Sequence, residues 1–149
     1  MSQITIATWN VNSLRVRLPQ LAAWVAESKP DVIALQETKL PDPDFPAAEI
    51  DALGYRCAYN GQRTYNGVAV LSRQPVEVLA TGIPGFVDEQ KRVLAVRTAG
   101  LVVVNLYVPN GQEPDSDKYA YKLRWLDALQ QWLESLLKIE KHLVVLGDL

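Results

Sequence analysis

Short apolar runs in this chain keep ending the same way, each giving onto a polar cluster. Residues 4–7 lead into Thr8-Trp9-Asn10-Val11-Asn12, and residues 32–35 into Gln36-Glu37-Thr38. Residues 101–104 lead through Asn105 and Leu106 to Tyr107 and Pro109-Asn110-Gly111, and residues 143–146 into Gly147-Asp148. A continuous apolar run of this kind, bounded by turn signals, describes a strand buried on both faces. Folds of the α/β class place ligands at the carboxyl ends of such strands. The pattern predicts buried strands that carry Asn10, Glu37, Tyr107 and Asp148 to one sheet edge.

The segments between them alternate in type. The first strand spans residues 3–9 and opens into a polar loop over 10–15. A helix follows with Pro19 in its first turn and Leu21, Trp24 and Val25 on one face, closed before Pro30. Pro41, Pro43 and Pro46 stiffen the loop after Glu37, and a short helix over 47–53 ends at Gly54. Strands are then expected over 56–59, 67–72, 76–80, 93–98 and 101–108, the last two joined by an Ala99-Gly100 turn. Consecutive hairpins are foreign to a doubly wound parallel sheet, so the pattern predicts an α/β sandwich with mixed sheets. The clearest helix covers 115–141, capped by Asp115 or Ser116. Its apolar positions are Tyr119, Leu123, Leu126, Leu129, Leu133, Leu136 and Leu137, with Trp125 and Trp132 directed into the core.

Composition narrows the class. The chain has 149 residues, 48% hydrophobic and 21% charged, which suits one soluble domain. No apolar run approaches a membrane span, and the N-terminus lacks a secretory pattern. The single cysteine, Cys57, excludes an internal disulfide framework and fits a reducing, cytoplasmic setting. Net charge is −2, from 15 basic and 17 acidic residues, so the basic surplus usual for nucleic-acid binders is absent. Basic residues cluster locally at Arg15 and Arg17, at Lys91 and Arg92, and at Lys118, Lys122 and Arg124.

Asn10, Glu37 and Asp148 are hard oxygen donors. Mg²⁺ typically takes one or two carboxylates, keeps several waters and leaves room for phosphate oxygens. Tyr107 adds a phenol that could hydrogen-bond a phosphate, and the chemistry suggested is phosphoester hydrolysis. Each residue also has an ordinary alternative. Glu37 could be a solvated strand end, Asn10 and Asn12 turn-formers, Tyr107 core packing and Asp148 part of a turn. His142, the only histidine, precedes the last strand at the end opposite the proposed site. There is no Gly-rich phosphate loop and no Cys/His spacing for zinc.

At these residues the chain closely resembles the bacterial exonuclease III-type abasic-site endonucleases, within the larger family sharing the deoxyribonuclease I-like fold. The resemblance is carried, in order, by WNVNSLR (9–15), PDVIALQETK (30–39), NGVAVLSR (66–73), NLYVPNG (105–111), YKLRWLDAL (121–129) and GDL (147–149). It implies a four-layer α/β sandwich, and hydrolysis of the phosphodiester 5′ to an abasic site in duplex DNA with Mg²⁺ or Mn²⁺. It also implies trimming of blocked 3′ ends, 3′-to-5′ exonuclease activity, and a monomeric protein of the bacterial cytoplasm. Glu37 matches the family's metal-binding glutamate and Asn10 its supporting asparagine, while Asn12 lies where relatives carry Asn or Asp near the metal. Tyr107 matches the active-site tyrosine, Asn110 a phosphate-contacting asparagine, and Asp148 the aspartate that positions or deprotonates the attacking water. Arg92 falls in a segment that touches DNA in relatives.

Two departures accompany the match. Ser13 stands where relatives usually carry Gly, and the family's later segments, with a DNA-facing tryptophan and an Asp-His pair, have no counterpart in residues 1–149. The expectation is therefore the N-terminal part of a single domain, inactive alone, with the inner face of the first sheet uncovered unless a complementary C-terminal segment covers it. Two other functions fit the same residues. One is a phosphoesterase of this fold acting on inositol phosphates or sphingomyelin, and the other is a non-catalytic DNA-binding or assembly fragment.

Overall fold

A computed structural model describes residues 3–149. In chain order the elements are β1 (Ile6–Asn10), α1 (Leu14–Ser28), β2 (Val32–Gln36), a 3-10 turn (Asp42–Asp44), α2 (Ala47–Ala52), β3 (Arg56–Asn60), β4 (Val68–Ser72), β5 (Glu77–Ala80), β6 (Val93–Thr98), β7 (Leu101–Tyr107), α3 (Asp117–Ile139) and β8 (Leu143–Asp148).

The strands form two four-stranded sheets, ordered β1-β2-β4-β3 and β5-β6-β7-β8. β1 runs parallel to β2 and β7 parallel to β8, while the remaining pairings are antiparallel. Both sheets are thus mixed, as expected. The strands bearing Asn10, Glu37, Tyr107 and Asp148 do not share one sheet edge, however. The first two residues belong to one sheet and the last two to the other. Hydrophobic patterning marks a strand as buried but carries no information about which buried strand it pairs with.

The layers are α/β/β/α. Leu14, Leu21 and Val25 of α1 and Ile50 of α2 pack on the outer face of the first sheet, against Ile33, Leu35, Ala69 and Leu71. Trp125 and Leu129 of α3 cover the outer face of the second sheet, against Val102, Val104 and Leu106. Between the sheets lie Val32, Val68 and Val70 from one side and Leu94, Val96 and Val103 from the other. Over β2 and β4 the inner face of the first sheet is therefore covered, contrary to expectation, because residues 77–148 contain a four-stranded sheet to lay upon it, whereas on β1 Ile6 is half-buried and Thr8 exposed. That burial removes the aggregation-prone surface an uncovered face would present.

Local sequence explains most boundaries, and the exceptions are instructive. β2 is buried at every position, consistent with an interior strand. Ala99 and Gly100 both have positive φ (53° and 78°), the geometry of a two-residue hairpin turn joining β6 to β7. Pro19 lies inside α1, not in its first turn, because the helix already starts at Leu14. Its side is exposed, so the Arg15 carbonyl left without an intrahelical donor can turn to water. In α3, Ser116 is the cap, its hydroxyl accepting from the Tyr119 N–H at 3.1 Å. Leu123 and Leu137 are 50% and 66% exposed, whereas the buried stripe follows Tyr121, Trp125, Leu129, Trp132 and Leu136. Two tryptophans seven residues apart bury more area than the competing leucines, and they set the rotation of the helix. Among the described residues no helix is long and apolar enough to cross a membrane.

Candidate active site

The parallel pairs set the site. Asn10 pairs with Gln36 at the carboxyl end of β1 and β2, and Tyr107 pairs with Asp148 at the carboxyl end of β7 and β8. Glu37 follows β2 with φ 54°, a left-handed conformation that costs about 1–3 kcal/mol for such a residue. The surroundings over-determine it. The Glu37 carbonyl accepts from the Ser13 N–H at 2.8 Å, and the Thr38 N–H donates to the Gly67 carbonyl at 3.1 Å. The Thr38 carbonyl accepts from the Leu14 N–H at 3.0 Å, so the start of α1 is fastened to the same turn. Gly147, before Asp148, has φ 140°, and a Cβ there would collide with the Leu106 backbone of β7. Only glycine lets β8 carry Asp148 this close to its neighbour.

Asn10 joins the two sheets. Its Nδ2 donates to Glu37 Oε2 at 2.6 Å and to Asp148 Oδ2 at 2.8 Å, while its Oδ1 accepts from the Asn12 N–H at 3.0 Å. The orientation of the amide is thereby set, with its nitrogen toward both carboxylates. Asn12 is not gathered into this group; its Oδ1 accepts from Lys39 Nζ at 2.6 Å. Lys39 Nζ also lies 3.7 Å from Glu37 Oε1, the only ion pair to either carboxylate among the described residues.

Tyr107 sits between the carboxylates and a basic side chain. Burial pushes its phenol above the usual tyrosine range, the Glu37 and Asp148 carboxylates push the same way, and Arg92 opposes them. The phenol is therefore a neutral O–H donor at neutral pH. The Arg92 guanidinium lies 4.7 Å from the centre of the Tyr107 ring and 5.9 Å from that of Tyr121. Arg92 Nη1 donates to the Tyr107 carbonyl at 3.1 Å, and Nε to Gln90 Oε1 at 2.8 Å. Tyr121 in turn donates to Asp88 Oδ2 at 2.6 Å. Arg92, Tyr107, Asn110, Lys118 and Tyr121 line a cleft of about 440 Å³ beside the carboxylate pair. His142 lies before β8, at the end of the strand away from Asp148.

Glu37 and Asp148 thus lie side by side in a partly exposed notch, with Lys39 beside Glu37 and Arg92 beyond the Tyr107 ring. Among the described residues no group of three or more His, Cys, Asp and Glu side chains gathers to hold an ion. This donor set does not suit zinc or calcium, which demand more protein ligands. It fits Mg²⁺ or Mn²⁺ held by the Glu37 and Asp148 carboxylates, an ion that completes its shell with water and substrate oxygens. Asn10, whose amide nitrogen and not its oxygen faces the carboxylates, is placed to orient them and not, as expected, to ligate the ion.

Residues 7–149 match the sequence profile of the endonuclease/exonuclease/phosphatase family. The chain belongs to that family. Exodeoxyribonuclease III of Haemophilus influenzae is 35% identical over 148 residues, an overlap that takes in 95% of this chain and 55% of that protein. The 3′-5′ exonuclease NExo of Neisseria meningitidis is 43% identical and superimposes with a TM-score of 0.94, over 97% of this chain and 57% of that one. An AP endonuclease from Archaeoglobus fulgidus is 38% identical with a TM-score of 0.90, over 98% and 57%. These relatives establish the deoxyribonuclease I-like fold, and the chain spans just over half their length.

Two residues of this family member's site escape sequence reasoning. Lys39 lies two positions after Glu37, where strand alternation breaks down because Glu37 and Lys39 both have positive φ. Tyr121 belongs to the apolar stripe of α3, and its i, i+4 spacing with Trp125 was the available signal.

Proposed function

We propose that the protein carrying this chain is a divalent-metal-dependent DNA repair nuclease, hydrolysing the phosphodiester 5′ to abasic sites and clearing blocked 3′ ends of duplex DNA. The observation that carries this reading is the meeting of Glu37 and Asp148 from two sheets on one Asn10 amide, beside the neutral Tyr107 phenol. The names of the three relatives, an exodeoxyribonuclease, a 3′-5′ exonuclease and an AP endonuclease, support DNA as the substrate.

In this reading Glu37 and Asp148 would hold Mg²⁺ or Mn²⁺, with Asn10 supporting both carboxylates. The bound ion would polarise the phosphoryl group and stabilise charge on the oxygens of an in-line displacement. Asp148 orients the attacking water and accepts its proton. Tyr107 donates its O–H to the scissile phosphate, and Arg92 and Asn110 hold the flanking backbone without reading sequence. An abasic nucleotide has no base to unpair or unstack, so bringing it to the notch costs less than flipping an intact one. The chain forms the N-terminal part of one domain, a further segment of the same protein completes the active fold, and the whole acts as a monomer in a bacterial cytoplasm. Burial raises the Cys57 thiol above its usual range, which suits a packing role there.

The test is a nicking assay on an abasic duplex, with the chain alone and with the chain extended to the length of its relatives. The extended protein is expected to nick with Mg²⁺ and to stop with EDTA, and the chain alone to be inactive. Absence of metal-dependent nicking by the extended protein would sink the reading. EDTA-insensitive binding without cleavage would replace it with a DNA-binding function, and strong competition by inositol phosphates would replace the substrate.

A further inference from the structure

Most of the layer between the sheets is apolar: Val32, Val68, Val70, Leu94, Val96 and Val103 meet there. Apolar contact is non-directional and specifies poorly where one sheet rests laterally on the other. The proposed active site nevertheless depends on that placement, since Asn10 and Glu37 come from one sheet and Tyr107 and Asp148 from the other. A directional link between the sheets lies directly beneath it. Gln36 and Asn105 are 1% and 0% exposed, and Gln36 Nε2 donates to Asn105 Oδ1 at 2.9 Å. The same nitrogen donates to Thr8 Oγ1 at 2.9 Å. Asn105 Nδ2 donates at 2.9 Å to both the Leu35 and Ala69 carbonyls of β2 and β4.

We propose that the buried amides of Gln36 and Asn105, braced by the exposed Thr8 hydroxyl, form a clamp that positions the two half-sites against each other. Their places in the chain carry the argument. Thr8 lies two residues before Asn10, Gln36 one before Glu37, and Asn105 two before Tyr107. Each clamp residue thus anchors a strand one or two residues before the group that strand delivers. Among the described residues two other buried polar links cross between the sheets, Asn60 to the Val93 carbonyl at 3.2 Å and Thr98 to Ser72 at 2.7 Å. Those join β3 and β4 to β6, strands that carry none of the site's carboxylates. Buried amide pairs in a low-dielectric interior are strong, geometrically demanding contacts, suited to setting register. The clamp residues act through their neighbours and touch no substrate. The catalytic consequence rests on the nuclease reading above, while the geometric one does not.

The decisive experiment reads the Asn10 side-chain amide by ¹⁵N NMR in metal-free protein, because that amide bridges the half-sites at 2.6 and 2.8 Å. Its hydrogen exchange is compared in wild type, Gln36→Met and Val96→Ala, the last a cavity control in the same inter-sheet layer. Gln36→Met is expected to speed exchange of the Asn10 amide about tenfold or more, with Val96→Ala leaving it within about twofold at comparable loss of stability. In nicking assays Gln36→Met should lower kcat about tenfold and leave KM for the duplex unchanged, as expected of a displaced supporting residue. Should Gln36→Met fail to fold, the isosteric Thr8→Val removes one anchor and is expected to give a smaller loss of the same kind. Unchanged exchange in the variant that folds, or equal loss in Val96→Ala, overturns the clamp. Exchange requires neither metal nor DNA, so a protein that never nicks would refute the function while the clamp is still judged.

Discussion

Asn10 and Asp148 lie 138 residues apart in sequence and are joined by a 2.8 Å hydrogen bond across the ends of two different sheets. The same Asn10 nitrogen is bonded to Glu37 at 2.6 Å, so one neutral amide holds two like charges side by side. Charge-assisted bonds of this length are short and strong, and they keep the carboxylates pointed into the same notch. A cation would relieve the remaining repulsion. That arrangement makes the site sensitive to small changes in charge and backbone.

Glu37→Gln removes one of the two charges and keeps the shape. In the protein at the length of its relatives, metal-dependent nicking of an abasic duplex is expected to fall by roughly 10²–10³, the usual effect of losing one preorganised electrostatic group. The check is the single-turnover nicking rate at saturating Mg²⁺. An unchanged rate would remove Glu37 from the site.

Gly147→Ala forces a Cβ into the Leu106 backbone at a φ of 140°. A loss of stability of about 3 kcal/mol or more is expected, since backbone strain and a steric clash coincide. Urea unfolding followed by tryptophan fluorescence measures it. A cost under about 1 kcal/mol would mean that β8 can move away from β7 freely, and that Asp148 is less firmly placed than its contacts imply.

Ser116→Ala strips the N-cap of α3, whose hydroxyl accepts from the Tyr119 N–H. The expected cost is about 1 kcal/mol, and Ser116→Asp should recover most of it, because either oxygen can accept that bond. The urea midpoints of the two variants decide. The same cap borders the cleft through Gly111, whose carbonyl accepts from the Ser116 hydroxyl at 3.1 Å, so Ser116→Ala should also weaken DNA binding modestly.

Tyr121 predicts an alkaline limb. Burial, then the hydrogen bond to Asp88, raise its phenol well above the usual range, and burial raises Tyr107 in the same direction. An unfolded tyrosine loses its proton near pH 10, while the folded groups keep theirs to higher pH. In that window the unfolded state binds fewer protons, so stability falls as pH rises. The contribution is fully present below about pH 10 and is lost progressively as pH climbs toward the folded values. Tyr121→Phe keeps the ring and removes the titrating group, and it should flatten the decline of the urea midpoint between about pH 9 and 12. An equal slope in both proteins would exclude Tyr121 as its source.

Much of the fold was written in local pattern. The run 32–35 before Glu37 is an interior strand because unbroken apolar sequence has nowhere else to go. Ala99-Gly100 is a hairpin because Gly100 takes its positive φ without steric cost, which lets the two-residue turn close with Ala99 also left-handed. Asn10, Glu37, Tyr107 and Asp148 could each be named from sequence, because a polar residue closing an apolar strand has to emerge at a sheet end. Tertiary structure alone decided which end faces which. It divided those strands between two sheets, laid the second sheet over the inner face of the first, and turned α3 by its tryptophans rather than by Leu123 and Leu137. It also brought Lys39 to Glu37 through two left-handed residues, and Tyr121 of α3 to Arg92, which precedes β6. The physical reason is a difference in range. Strand burial, turn geometry and capping depend on neighbours within a few residues, whereas strand pairing, sheet stacking and the Gln36–Asn105 contact are selected by how whole apolar faces and buried polar groups can be satisfied together.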